Sequence, residues 1–185
     1  MENSEILNDL AAVFRWTARL DMHEGIANHF SVCSQDNDGF FINKSGSHFS
    51  QIKASDLIHV NNNNYKKLKD KPEIVDPTAL NIHGEIHKKV PHAKCILHAH
   101  SKYATALSTL KNPFLPPIDQ NTMRFFNRVA FYNDFGGLGF ENEAKKMSQS
   151  MGNYKIMMLA NHGIITSGET VAKAFDDLYY FEKAC

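Results

Sequence analysis

The stretch Lys94-Cys95-Ile96-Leu97-His98-Ala99-His100 constrains this chain more than any other. Its apolar run Cys95, Ile96 and Leu97 predicts a short buried strand, and side chains alternate along a strand, so His98 and His100 project from one face. Two imidazoles side by side on a rigid element are half of a metal site. A catalytic zinc or similar divalent ion takes three protein ligands and keeps a position open for water or substrate. Asn161-His162-Gly163 offers the third ligand: it follows a second apolar segment, Lys155 to Ala160, and its glycine permits a tight turn. Three histidines from two strand ends around one metal is the arrangement these stretches predict. Spacing alone leaves ordinary polar surface open as the alternative, because 10 histidines in the chain make chance pairs common. His83 and His87, four apart on an expected helix, form a rival pair with no evident partner.

At 185 residues and 43% hydrophobic content the chain can build one sizeable core, and residues 1–185 are expected to form a single domain. The charges balance at +0 and no basic block is longer than Lys66-Lys67, which leaves no nucleic-acid or anionic-membrane footprint. Small molecules and other subunits are the expected partners. The acidic start, Met1 to Glu5, fits neither a signal nor a transit peptide, and no apolar run approaches membrane-spanning length. Cys33, Cys95 and Cys185, an odd number, argue against a disulfide framework, so a reduced, cytoplasmic protein is expected.

Along the chain, apolar residues at three- and four-residue intervals predict a helix from Ser4 to Leu20, with Ser4 as its cap. Asn28–Val32 and Phe40–Ile42 predict a hairpin across the polar turn Ser34–Gly39. Asn43-Lys44-Ser45-Gly46-Ser47 is a small-residue loop whose amides and hydroxyls suit an anion, although most such loops are simple turns. Ala54–Val60 predicts a turn into a strand, and Lys66–Lys71 a solvated loop. Pro77 opens a helix that Pro91 ends, and Ser101 caps a short helix from Tyr103 to Leu110. Residues 111–127 carry three prolines and no period, Val129–Tyr132 predicts a strand, and Gly136–Gly139 a turn. Glu141–Met151 suits a helix, and Ile164–Thr166 is expected to continue the preceding strand past Gly163. From Glu169 to Cys185 a final helix runs without a stopping signal, from which a longer parent chain is expected.

The order of a helix, Asn28-His29-Phe30-Ser31, Ile42-Asn43-Lys44-Ser45-Gly46, His83 on a helix, His98-Ala99-His100, Asn161-His162-Gly163 and a terminal helix resembles the class II aldolase/adducin superfamily, from about Leu10 to Cys185. The resemblance implies an α/β/α sandwich around a mostly antiparallel sheet, assembled as a homotetramer with sites at subunit contacts. It implies one divalent metal per chain, zinc first and manganese or iron as alternatives, held by His98, His100 and His162. Three neutral ligands leave the full dipositive charge to stabilise an enediolate or acidify bound water.

The chain departs from the family's sugar-phosphate aldolases where they carry Ser-Ser-Glu before the helical histidine. Pro77-Thr78-Ala79 stands there, and Ala79 cannot carry a proton. Their phosphate-binding Gly-Asn appears as Asn28-His29, while Ser45-Gly46 is kept, which counts against a sugar phosphate. The sequence is closer to the adducin-like bacterial branch. The expected function is a metal-dependent lyase, an aldolase or decarboxylase, acting on a small carboxylated or hydroxylated carbonyl compound. Here His29 acts as a base or binds a carboxylate, and Asn28, Ser45 and Gly46 hold the substrate. Tyr103, Gln120, Arg124 and Glu141 are further candidates for the site. Two alternatives differ in class: a non-haem iron oxygenase on the same histidines, and a non-catalytic, adducin-like oligomeric binding module.

Overall fold

Apolar side chains alternate with polar ones on some strands and fill others completely, and that contrast sets the layers of the molecule. The computed structural model describes residues 3–134 and 141–185; the expected turn at Gly136–Gly139 lies outside them, as does the side chain of Glu141. Among the described residues, helices α1 (Ser4–Arg19), α2 (Tyr65–Lys69), α3 (Pro77–Lys89), α4 (Lys102–Ser108), α5 (Gln120–Phe125), α6 (Glu141–Met151) and α7 (Val171–Ala184) surround seven strands. The strands are β1 (His29–Cys33), β2 (Phe40–Ile42), β3 (Ile58–Val60), β4 (Cys95–Ala99), β5 (Val129–Tyr132), β6 (Ile156–Leu159) and β7 (Gly163–Gly168). They form one sheet in the order β3-β2-β1-β4-β7-β6-β5, antiparallel except between β5 and β6.

Both faces of the sheet are covered. On one, Phe14 of α1 and Leu178 and Phe181 of α7 pack on Phe30, Val32, Leu97, Met158 and Ile164. On the other, Ile82 and Ile86 of α3 and Met147 and Met151 of α6 pack on Ile96, Met157 and Ile165. This is the expected α/β/α arrangement, and it explains why Cys95–Leu97 of β4 and the whole of β6 read as apolar runs: strands covered on both faces have no solvent side.

Four local expectations are corrected. The cap of α1 is Asn3, not Ser4, and Asn3 spends its side chain on the Gln35 amide at 3.0 Å. Lys66–Lys71 is not a loop, because α2 forms there and seats Leu68 against the sheet edge with Phe40, Val60 and Leu80. Residues 111–127 are not wholly irregular: Asp119 accepts the Thr122 amide at 2.7 Å and starts α5, which lays Phe125 against Phe181. Finally, β7 does not continue β6. Asn161 takes a left-handed φ of 56°, the chain reverses, and β7 returns antiparallel with Leu159 opposite Gly163.

Candidate metal centre

That reversal places His162 at the tip of the β6–β7 hairpin, beside the end of β4. Strand β4 pairs with β7 so that Ala99 lies opposite Ile164, which brings the tip against His100. The approach is close enough to require glycine: a Cβ on Gly163 would lie 2.6 Å from the Ala99 carbonyl oxygen and 3.0 Å from His100 Cδ2. His98 Nε2 stands 3.0 Å from His100 Nε2 and 3.0 Å from His162 Nε2. One ligand atom from each histidine lies within 4.8 Å of the others.

The outer nitrogens decide what the inner ones offer. His98 Nδ1 is 3.0 Å from the carbonyl oxygen of Ile164, which only accepts, so Nδ1 carries the proton. His100 Nδ1 is 2.5 Å from Glu24 Oε2, which assigns its proton the same way. In the neutral form that binds metal, both Nε2 atoms present lone pairs to each other across 3.0 Å, a contact that a cation between them turns into ligation. Burial, with the other imidazoles as a second cause, holds His98 well below the usual histidine range and brings His162 down to about 4. Neutral imidazole is the form that binds metal. The donor set fits a divalent ion.

His29 completes the inner wall. It pairs with His98 across β1 and β4, and the two rings lie 4.6 Å apart, tilted by 33°. Burial lowers His29 to about 3, with the Asp76 charge opposing the shift. Its Nδ1 lies 2.6 Å from His83 Nε2, so the rival pair His83 and His87 does have a partner: it faces β1. Asn28 is buried, and its Oδ1 accepts the Glu24 amide at 2.7 Å, which ties the Glu24 turn to the start of β1.

The other predicted residues are placed less tightly. Ser45 and Gly46 stand in a turn closed by the Ser47 amide on the Lys44 carbonyl at 3.3 Å and tied to Ile74 by the Ser45 amide on its carbonyl at 2.9 Å, and among the described residues no hydrogen bond joins them to the histidines. Ala79 lies in the apolar cluster of Phe40, Ile42, Val75 and Leu80. Arg124 is committed to Asp176 at 2.5 Å and Asp177 at 3.1 Å, and Tyr103 is exposed. Glu24 was missed in the sequence. It lies 76 residues from His100, and no spacing rule links the two.

The sequence profile of the Class II Aldolase and Adducin N-terminal domain matches residues 8–185. The meiotically up-regulated gene 14 protein of Schizosaccharomyces pombe is 33% identical over 186 residues, covering 97% of this chain and 70% of that protein. Decarboxylase NovR of Streptomyces niveus is 30% identical over 167 residues, covering 89% of this chain and 61% of NovR. The crystal structure of an aldolase II superfamily protein from Pseudomonas syringae superposes with a TM-score of 0.85 at 32% identity, covering 100% of this chain and 73% of that one.

Proposed function

The chain belongs to the class II aldolase and adducin family, and from that premise we propose that it is a divalent-metal-dependent carbon–carbon lyase acting on a small carbonyl compound. Decarboxylation of a carboxylated substrate is the first reaction to test. The observation that carries this reading is the convergence of three Nε2 atoms from His98, His100 and His162. His98, His100 and His162 would hold zinc, or manganese or iron in its place, which would supply Lewis acidity toward a carbonyl oxygen.

The protein's own groups supply the rest. Loss of carbon dioxide leaves an enolate without prior removal of a C–H proton, so the apolar surroundings of Ala79 are no obstacle. The enolate carbon then needs a proton. His29, neutral and against His98, accepts from a water and orients it to deliver that proton, and the hydroxide left combines with the released carbon dioxide as bicarbonate. Asn28 and the Ser45-Gly46 turn position the substrate in this proposal. NovR, named a decarboxylase, supports it.

The test is turnover of a panel of small β-keto acids by the zinc-, manganese- and iron-loaded protein. Carbon dioxide release that needs metal and His29 supports the proposal. Aldehyde release from β-hydroxy carbonyl compounds without carbon dioxide moves it to aldol cleavage, and oxygen uptake seen only with iron overturns it in favour of an oxygenase.

Glu24 gives a separate expected outcome. A carboxylate on the outer nitrogen of a metal-binding histidine raises its basicity and fixes its orientation, and loss of such a group typically costs about 10–100-fold in metal affinity. Glu24→Gln is expected to weaken zinc binding within that range in a chelator competition, with the fold unchanged because Glu24 is exposed. Unchanged affinity would exclude an orienting role.

A homo-oligomer belongs to the same proposal. Leu110, Phe114 and Ile118 are 56%, 51% and 79% exposed, a surface suited to another copy. Sedimentation equilibrium measures it. No helix among the described residues is long and apolar enough to cross a membrane.

A further inference from the structure

Between β1 and α3 the contact is polar, buried at His29, Ser31 and His83 and half-buried at Cys33 and His87. His29, Ser31 and Cys33 alternate on one face of β1, and His83 and His87 stand one turn apart on α3. From His29 the hydrogen bonds run on without a break. His83 Nδ1 is 2.5 Å from Ser31 Oγ, Ser31 Oγ is 2.7 Å from His87 Nε2, and His87 Nδ1 is 2.7 Å from the carbonyl oxygen of Ala93. His83 and His87 each use both nitrogens in the series, and the serine hydroxyl sits between the two rings.

Only one end of this series has a fixed sense. A carbonyl oxygen accepts and never donates, so His87 must carry its proton on Nδ1. Its Nε2 then accepts from the Ser31 hydroxyl. Having donated, Ser31 can only accept from His83 Nδ1–H, which leaves His83 Nε2 to accept from His29 Nδ1–H. The rival arrangement runs the other way, with the Cys33 thiol, 3.2 Å away, donating to His87 Nδ1. It would set a nitrogen lone pair against the Ala93 oxygen lone pairs at 2.7 Å, and thiol donors are weak. Burial holds His83 well below the usual histidine range and His87 at about 4, so neither carries a second proton near neutrality.

We infer that the Ala93 carbonyl, acting through His87, Ser31 and His83, fixes the proton of His29 on Nδ1 and leaves its Nε2 as a hydrogen-bond acceptor. His83, Ser31 and His87 are positioning residues. The inference rests on the proposal that His29 serves the metal centre, and it narrows what that residue can meet. An acceptor nitrogen takes a hydroxyl or a water, not a carboxylate oxygen. His29 therefore accepts from a substrate O–H or a water and does not bind a carboxylate. The Nδ1–H form is also the one free histidine disfavours, so the structure selects it.

Long-range nitrogen–proton spectra of the histidine-labelled protein as purified, at neutral pH, test this. His29, His83 and His87 are expected to show a protonated Nδ1 and an unprotonated Nε2. In Ser31→Ala the series breaks between the two α3 histidines. His87 is then expected to keep its signature while His83 and His29 lose more than half of theirs, and Ser31→Thr, which restores a hydroxyl, to recover it. A protonated Nε2 on His83 or His87 in the unaltered protein overturns the inference, as does a His29 signature indifferent to Ser31→Ala. If Ser31→Ala fails to fold, the spectrum of the unaltered protein decides alone. The readout needs neither substrate nor turnover, so failure of the lyase proposal would show in the turnover panel and leave this result standing.

Discussion

Purified without chelator, the protein is expected to carry close to one divalent ion per chain, and the His98→Ala/His100→Ala variant to carry none. The two residues supply two of the three converging nitrogens, and His162 alone cannot hold an ion against water. Turnover should fall about 100-fold or more, beyond the range for an outer-sphere partner such as Glu24. Elemental analysis measures the first effect and the β-keto acid panel the second. Because His98 is buried at 2% exposure, circular dichroism of the variant must accompany both. A folded variant that keeps its metal would show that the ion sits elsewhere. A folded, metal-free wild-type protein gaining no thermal stability from zinc, manganese or iron would move the function to an oligomeric binding module.

The second large effect is expected at Gly163. In Gly163→Ala the new Cβ meets backbone, the Ala99 carbonyl oxygen at 2.6 Å, so no side-chain rotation relieves the contact. The hairpin tip must move away from the end of β4. Forced overpacking of this kind costs roughly 1–3 kcal/mol, which for a domain of this size corresponds to a fall in Tm of roughly 2–12 °C. The same movement separates His162 from His98 and His100. Metal affinity should therefore fall together with stability, and saturating zinc should recover part of the lost Tm. A lower Tm with unchanged zinc affinity would mean that the tip yields somewhere other than at His162.

Much of the centre was legible because it obeys short-range rules. The two-residue repeat of a strand puts His98 and His100 together, and a histidine before a glycine after an apolar run marks a turn. What lay outside those rules was harder to read. The repeats of His29, Ser31 and Cys33 and of His83 and His87 are each visible, but nothing in either says that the two faces meet. The α2 helix carries one buried apolar residue, Leu68, too little for a periodic pattern. The start of α5 was legible in principle, since Asp119 and Thr122 have the spacing of a reciprocal cap, but the prolines before them dominated the segment. The β6–β7 reversal turned on a left-handed Asn161, a conformation asparagine tolerates and an apolar run conceals.

The strand order also governs when the centre can exist. At the middle of the sheet β1 lies beside β4 and β4 beside β7, neighbours far apart along the chain, and His162 follows His98 by 64 residues. Such pairings carry the full entropy of closing long loops before they return any contact energy, which makes them slow. During synthesis the N-terminal helix and the β1–β2 hairpin emerge first, but the nitrogens cannot converge until β7 has left the ribosome and inserted beside β4. On the proposed metal centre an ion would thus be a late arrival, held only after the sheet has closed, and a chain that stops short of His162 keeps just two of the three nitrogens.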